Sequence, residues 1–254
     1  MNPILPIAAV LFALTPLIWD QLRAGSPTLF GLGSVIVWLS CMTYAERRRG
    51  LVWPGIAGAA LGIAVYTSNN AAVMMPVYAA VTVGVLMFVR PVPVRTIAAF
   101  AIAFGSVAIP FALFWLRHPD AFRQTVLAHH LYDANRFNVL QGAKEMASWV
   151  GLTARSEVYY DYFNPAFLFL NGNVLFPALF VLLPLGFYQM LTIDQTVASR
   201  IVLFGFLAAP FAGSLGAEPP QPARIVFITP FAAIVGAYGV GAIVSFWRRY
   251  HRSA

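Results

Sequence analysis

The ionisable residues of this 254-residue chain are few, and some of them stand close together in pairs. Arg224 follows Glu218 in a proline-rich segment, and Arg23 follows Asp20 by three positions. A guanidinium is a forked, permanently charged donor, so each arginine either forms a local ion pair, lies at a helix end with its charge in the interface, or binds an anion. Asp161, within a tyrosine-rich segment, is either a helix or turn cap or a reactive carboxylate.

Metal and thiol chemistry find little support in the sequence. His129 and His130 are adjacent, so they point to different faces of a helix and cannot jointly hold one ion from it. No HExxH, paired-cysteine or DxD spacing occurs, and only dispersed carboxylates remain as ligands for a divalent cation. Cys41 is the single cysteine, so an intramolecular disulfide is excluded.

The composition identifies the elements that must position these side chains. The chain is 60% hydrophobic and 10% charged, whereas soluble domains carry about 25% charged residues. This excludes a water-soluble globule and a disordered chain, and predicts an all-α membrane bundle, because helices satisfy their own backbone in lipid. Charge-free stretches predict about eight spans, at 3–19, 27–44, 53–68, 71–89, 96–116, 174–192, 201–217 and 225–246. The glycines in 55–62 and 236–241 predict close helix packing.

The arginines predict the orientation of the bundle. Alternate connections, namely 45–52, 90–95, 193–200 and the tail after 247, hold nine of the 16 basic residues and two of the nine acidic ones. These segments carry +7 and the remainder sums to zero, so the positive-inside rule places both termini in the cytoplasm. The basic runs 46–49 and 248–252 are then cytoplasmic anchors on anionic lipid rather than nucleic-acid contacts.

This topology divides the chain into three parts. Residues 1–116 form spans one to five, 117–173 form a long extracytoplasmic loop, and 174–254 form spans six to eight and a tail. The loop opens with Arg117 and His118 and is predicted to be either a helix on the membrane surface or a cap over a lipid-facing active site. Six residues of the loop stand at helical spacing, namely Phe122, Val126, His129, Asp133, Phe137 and Leu140. Five aromatic residues are predicted to form a belt at the membrane interface, namely Trp149, Tyr159, Tyr160, Tyr162 and Phe163.

Five segments of the chain resemble one family. Residues 159–172 read YYDYFNPAFLFLNG and resemble the Y..HFSP.FLF..G signature of bacterial GT-C glycosyltransferases, the polytopic protein mannosyltransferases and aminoarabinose transferases of family 39 type. Four further segments match the family in the same order, namely ALTPLIWDQLRAG at 13–25, LGIAVYT at 61–67, LRHPDAF at 116–122 and PARIVFITPFA at 222–232.

The resemblance implies transfer of a sugar from a polyprenyl-phosphate carrier to an acceptor on the outer face of a bacterial inner membrane. A carboxylate would assist the acceptor, and cations would stabilise the leaving phosphate. The resemblance assigns carrier-phosphate binding to Arg224 and Arg23. Asp161 and Asp20 are the remaining candidates for the catalytic carboxylate. The substrate contacts of the loop would be Arg117, His118, Tyr160, Tyr162 and Asn164. The implied partners are the lipid-linked donor and membrane lipids, and a divalent metal ion is the one cofactor left open.

The departures from the family pattern are as informative as the matches. The family's catalytic carboxylate lies in a first outer loop that precedes everything matched here, and Asp20 lies at a different place in the pattern. The charged pair that follows the signature is replaced by Asn171, Gly172 and Asn173. We therefore expect a carrier-binding scaffold without the usual catalytic start. The alternatives are a non-catalytic carrier-binding subunit, or a transporter, although transporters place ionisable residues at the midplane and the predicted spans contain none.

Overall fold

The computed structural model describes residues 4–48, 50–89, 91–128, 131–133, 136–216 and 218–253. Within these ranges the chain is helical and has no strand. The α-helices are α1 (Ile4–Ala13), α2 (Pro16–Arg23), α3 (Thr28–Arg47), α4 (Val52–Ala64), α5 (Asn69–Gly84), α6 (Val94–Arg117), α7 (Pro119–Ala128), α8 (Val139–Met146), α9 (Trp149–Asp161), α10 (Leu179–Thr192), α11 (Val197–Ala208), α12 (Phe211–Ser214) and α13 (Ile228–Ser253). Two π-helical segments (Val85–Val89, Ala166–Asn171) and one 3₁₀ turn (Pro222–Ile225) complete the described elements.

The long apolar helices are consistent with a membrane protein. In the described ranges five helical segments are long and apolar enough to cross a bilayer, and α1 with α2, bent by 55°, makes a sixth if the pair is one span. The shorter apolar helices α4 and α10 lie where two further spans were predicted. Their 13 and 14 residues rise only about 20 Å, against about 30 Å of hydrocarbon. The count of eight spans therefore stays a prediction.

Local sequence explains where several helices break. Pro16 begins α2, since proline suits a first helical turn, and the Thr15 hydroxyl donates to the Leu11 carbonyl at 3.0 Å. Ser68 caps α5 by accepting from the Ala71 N–H at 3.2 Å, so the division predicted within 50–89 is confirmed. Gly25 follows α2 with φ of +61°, a conformation that favours glycine.

Glycines bring helices into backbone contact. A Cβ on Gly58 would lie 2.2 Å from the Phe100 carbonyl oxygen, and one on Gly62 would lie 2.8 Å from Val107 Cβ, so α4 and α6 touch through a small-residue seam. Gly239 packs on the Leu182 carbonyl in the same way. The predicted packing role of Gly58, Gly62 and Gly239 is confirmed, whereas a Cβ on Gly55 would contact no atom of another element within 4 Å.

The core of the bundle is apolar, mainly aliphatic, and includes an aromatic cluster. Trp38 stacks on Tyr78 with ring centroids 5.4 Å apart, and Phe231 meets both rings. Trp38 Nε1 and Tyr78 Oη are buried and find no hydrogen-bond partner among the residues that the structure describes. The buried polar residues among those described are threonines and serines, none of them ionisable. By contrast, only 6% of the 18-residue apolar stretch of α6 is buried, because this helix packs mainly on α4.

The single amphipathic helix predicted across 122–140 is wrong. Helix α7 ends at Ala128 and α8 begins only at Val139, while His129 and His130 lie outside the described residues. Asn138 forms a capping box with Gln141, and the Asp133 carbonyl accepts from the N–H groups of Arg136 and Phe137. These local side-chain and turn bonds compete with helix continuation, which explains the break.

Candidate functional site

Two sequence segments of the resemblance meet at one end of the bundle. Arg224 donates through Nη2 to Glu218 Oε2, and the two side chains are only 18% and 25% exposed. The hydroxyl of Tyr162, which directly follows α9, accepts a hydrogen bond from the Gln221 N–H at 3.3 Å. We call these four residues, Tyr162, Glu218, Gln221 and Arg224, the Arg224 cluster.

Neighbouring elements hold the Arg224 cluster in place. Asn70, at the start of α5, donates to the Ala223 carbonyl at 3.3 Å. Arg155 of α9 donates to the carbonyls of Leu215 and Leu131, at 2.9 and 2.7 Å. Gly213 leaves room for the phenol ring, since a Cβ there would lie 2.6 Å from Tyr162 Oη. Sequence reasoning missed Arg155 and Gly213, because both act through contacts distant in sequence.

Tyr162 is the buried member of the Arg224 cluster. Its ring is fully buried, and this burial raises the pKa of the phenol, while the Gln221 N–H and the positive charge of Arg224 partly offset the rise. The phenol therefore stays protonated. The predicted place of Tyr162 in an exposed aromatic belt is wrong, whereas Trp149 and Tyr160 are 83% and 70% exposed.

The second predicted phosphate ligand lies nearby but is unpaired. Arg23 and Asp20 are both exposed on α2, and no ion pair joins them among the described residues, so the local pair considered for them is not formed. Helix α2 contacts the 3₁₀ turn that carries Arg224. The two arginines therefore stand on adjoining elements.

The remaining predicted site residues make local contacts. His118 Nδ1 lies 2.9 Å from the Phe114 carbonyl and its ring stacks on Phe114. Asn164 accepts from the Ala166 N–H at 2.9 Å and so starts the π-helical segment. Arg117 ends α6, and Asp161 is the exposed last residue of α9, a helix end where a carboxylate gains nothing from the dipole.

The described residues hold no group of three or more His, Cys, Asp or Glu side chains suited to a metal ion. Cys41 is buried as a free thiol.

A second polar cluster lies where the arginine-rich connections meet. The Tyr238 hydroxyl donates to Asp194 Oδ2, and Asp194 Oδ1 accepts from the Thr196 N–H at 3.3 Å. Glu46 Oε1 accepts from the Val197 N–H at 3.2 Å, so carboxylates from two places satisfy the first donors of α11. We call Glu46, Asp194, Thr196 and Tyr238 the Asp194 cluster.

Two cavities open at the Asp194 cluster. The first has a volume of about 680 Å³ and is lined by α1, α3, α10, α11 and α13. The second, about 670 Å³, lies between the end of α3 and the start of α6, and Glu46 lines both. Neither of these two cavities is lined by Arg224 or by a residue of 117–173. Sequence reasoning assigned Glu46 to a cytoplasmic anchor and gave no signal of a cavity.

Comparison with protein-family models, with curated proteins and with solved structures gives no match for this chain. Interpretation of the two clusters therefore rests on their own residues and contacts.

Proposed function

We propose that this chain is a membrane glycosyltransferase of GT-C type, or the carrier-binding part of one, which binds a polyprenyl-phosphate-linked sugar at the Arg224 cluster. One observation supports this proposal above the others. Two segments that resemble the family, 159–172 and 222–232, are distant in sequence, yet Tyr162 of the first accepts a hydrogen bond from the N–H of Gln221, the residue directly before the second.

The chemistry of the cluster suits a phosphate. A guanidinium binds phosphate oxygens through two parallel donors, and the Arg224 side chain is largely shielded from water, where such bonds gain strength. Arg23 on the adjoining α2 is exposed and forms no ion pair within the described part of the chain, so it can add a second cation. Because Arg224 is held by Glu218 and no described cavity reaches it, binding requires the arginine to exchange this carboxylate for the phosphate.

The proposed topology follows the charge distribution. Eight spans, including short α4 and α10, would leave both termini in the cytoplasm of a bacterial inner membrane. Helices α7, α8 and α9 would then lie at the outer interface, where Trp149 and Tyr160 meet the headgroups.

A non-catalytic carrier-binding subunit is the second candidate. Asp161 and Asp20 are exposed, and no described hydrogen bond ties either carboxylate to the Arg224 cluster. A glycosyl transfer needs its base beside the reacting centre, so this separation favours binding without turnover. The transporter alternative has less support, since the buried polar residues described are threonines and serines rather than ionisable groups.

The binding test uses the purified chain in lipid nanodiscs titrated with a polyprenyl phosphate. Arg224→Gln should weaken binding about tenfold, because a charge-assisted hydrogen bond contributes about 1.5 kcal/mol or more. Arg48→Gln is the matched control, since Arg48 is an exposed arginine that follows α3 and has no described contact with the cluster. Equal affinity of wild type and Arg224→Gln would contradict phosphate binding at this cluster.

A transfer assay separates the two candidates. Membranes containing the chain receive a polyprenyl-phosphate-linked radiolabelled sugar, and label on extracted acceptors is counted. Transfer that is lost in Asp161→Asn or Asp20→Asn supports the enzyme. Binding with no transfer supports the subunit.

A further inference from the structure

The first of the two cavities at the Asp194 cluster, which we call the slot, is lined mainly by apolar side chains. Its walls are apolar side chains from five helices, among them Leu5 and Phe12 of α1, Ile36 and Leu39 of α3 and Ile234 of α13. Its volume of about 680 Å³ lies within the range of about 300–1,000 Å³ that small-molecule sites occupy. The slot is lined by the second half of α3, up to the end where this helix stops, and by the first half of α13.

Polar groups line one end of this slot. Glu46 and Asp194 are already engaged, because their oxygens accept from the N–H groups of Val197 and Thr196 and from the Tyr238 hydroxyl. The positive end of α11 offsets their charge. Arg47 lines the same end, and its guanidinium takes part in no ion pair among the described residues.

We propose that this cavity binds one acyl chain of an anionic phospholipid and that Arg47 receives the phosphate. The apolar walls match the chain, and the cation at the polar end matches the charge of the head group. The surrounding sequence adds to the match, since the connections that meet here carry the excess of arginine. This lipid site is separate from the carrier site proposed at Arg224, at the other end of the bundle.

The test uses phosphatidylglycerol with a photoactivatable group on one acyl chain, incorporated into vesicles that contain the full chain. After irradiation the labelled peptides are mapped by mass spectrometry. We expect label on peptides of α1, α3 and α11. The matching phosphatidylcholine probe should label these peptides about two- to fivefold less, which is the range for a partly exposed ion pair.

Two pairs of variants sharpen the test. Ala9→Phe fills the slot from α1, and Ala13→Phe places the same side chain on α1 outside it. Arg47→Gln removes the lining cation, and Arg48→Gln removes its neighbour, which does not line the slot. Ala9→Phe should lower labelling by both probes, Arg47→Gln should lower phosphatidylglycerol labelling alone, and both controls should label as wild type.

Three outcomes would overturn the proposal. Label spread evenly over the apolar helices means ordinary lipid contact. Ala9→Phe and Ala13→Phe labelling alike means that the chain does not enter the slot. Equal labelling by the two probes in wild type means that the head group is not selected by charge. None of these outcomes bears on polyprenyl-phosphate binding at Arg224, whose readout is a separate titration.

Discussion

The two polar clusters use the same kinds of side chain to opposite effect. In the Arg224 cluster a carboxylate pairs with an arginine, and the buried ring of Tyr162 fills the space behind them. In the Asp194 cluster the carboxylates bind backbone N–H groups at the start of α11, and space remains beside them. In the Arg224 cluster the ion pair neutralises the arginine, and no space remains beside it. In the Asp194 cluster the carboxylates cap a helix instead, so the nearby Arg47 has no described ion pair and lines the edge of a cavity. The first region should be sensitive to added volume and lost charge, and the second tolerant of both.

The largest expected difference comes from adding volume. Gly213→Val should destabilise the fold by about 3 kcal/mol, because its side chain would overlap the Tyr162 ring, which cannot move aside within a packed interior. Ala198→Val adds methyl groups to the wall of the 680 Å³ cavity and should change stability by about 0.5 kcal/mol or less. Thermal unfolding in one detergent measures both. Similar losses for the two variants would remove the proposed difference in packing.

Removing one arginine at each end tests the charge contrast. Arg224→Gln should destabilise the fold by about 2 kcal/mol, because Glu218 is left three-quarters shielded without its cation. Arg47→Gln removes a cation with no described ion pair and should leave unfolding unchanged within about 0.5 kcal/mol. The double variant Glu218→Gln with Arg224→Gln should recover part of the loss. A loss for Arg47→Gln as large as that for Arg224→Gln would refute the contrast.

A smaller effect is expected within the Asp194 cluster. Tyr238→Phe removes one hydrogen bond to Asp194, whose other oxygen still accepts from the Thr196 N–H. We expect a loss of about 1 kcal/mol in chemical unfolding. Asp194→Asn should cost a similar amount if the bond to Tyr238 matters, and the double variant should then cost less than the sum of the two. Strict additivity would mean that the two side chains do not interact.

The smallest expected change in stability comes from a core residue outside both clusters, Tyr78. Tyr78→Phe removes a buried hydroxyl that has no hydrogen-bond partner and keeps the ring stacked on Trp38. Stability should stay unchanged or rise by up to about 1 kcal/mol, since an unsatisfied polar group is removed. Tyr238→Phe is the natural comparison, because its hydroxyl is bonded. A clear loss in Tyr78→Phe would indicate a partner for the hydroxyl that the structure does not contain.

The sequence predicted the helical membrane fold well because hydropathy and charge act locally along the chain. The break at Ser68 and the packing role of Gly58 and Gly62 followed from residue type alone. The end of α7 at Ala128 did not follow from residue type. The turn hydrogen bonds to the Asp133 carbonyl and the cap at Asn138 outweighed a favourable helical spacing.

The site was only half predictable from the sequence. Arg224 and Glu218 are close in the chain, and their pairing follows from that closeness. The position of Tyr162 behind them, and the support from Arg155, depend on how α9 packs on the segment 213–221. The cavity at Asp194 depends on the angle between helices, which no residue pattern specifies.

The carboxylate of Glu46 belongs to the walls of both cavities and also holds the first N–H of α11. A molecule that displaces this carboxylate from one cavity must alter the shape of the other. Thermodynamic reciprocity then requires that each occupant change the affinity of the other by the same factor. Glu46 would thus make the two cavities a coupled pair, with cooperative or mutually exclusive filling set by the direction in which one side chain turns.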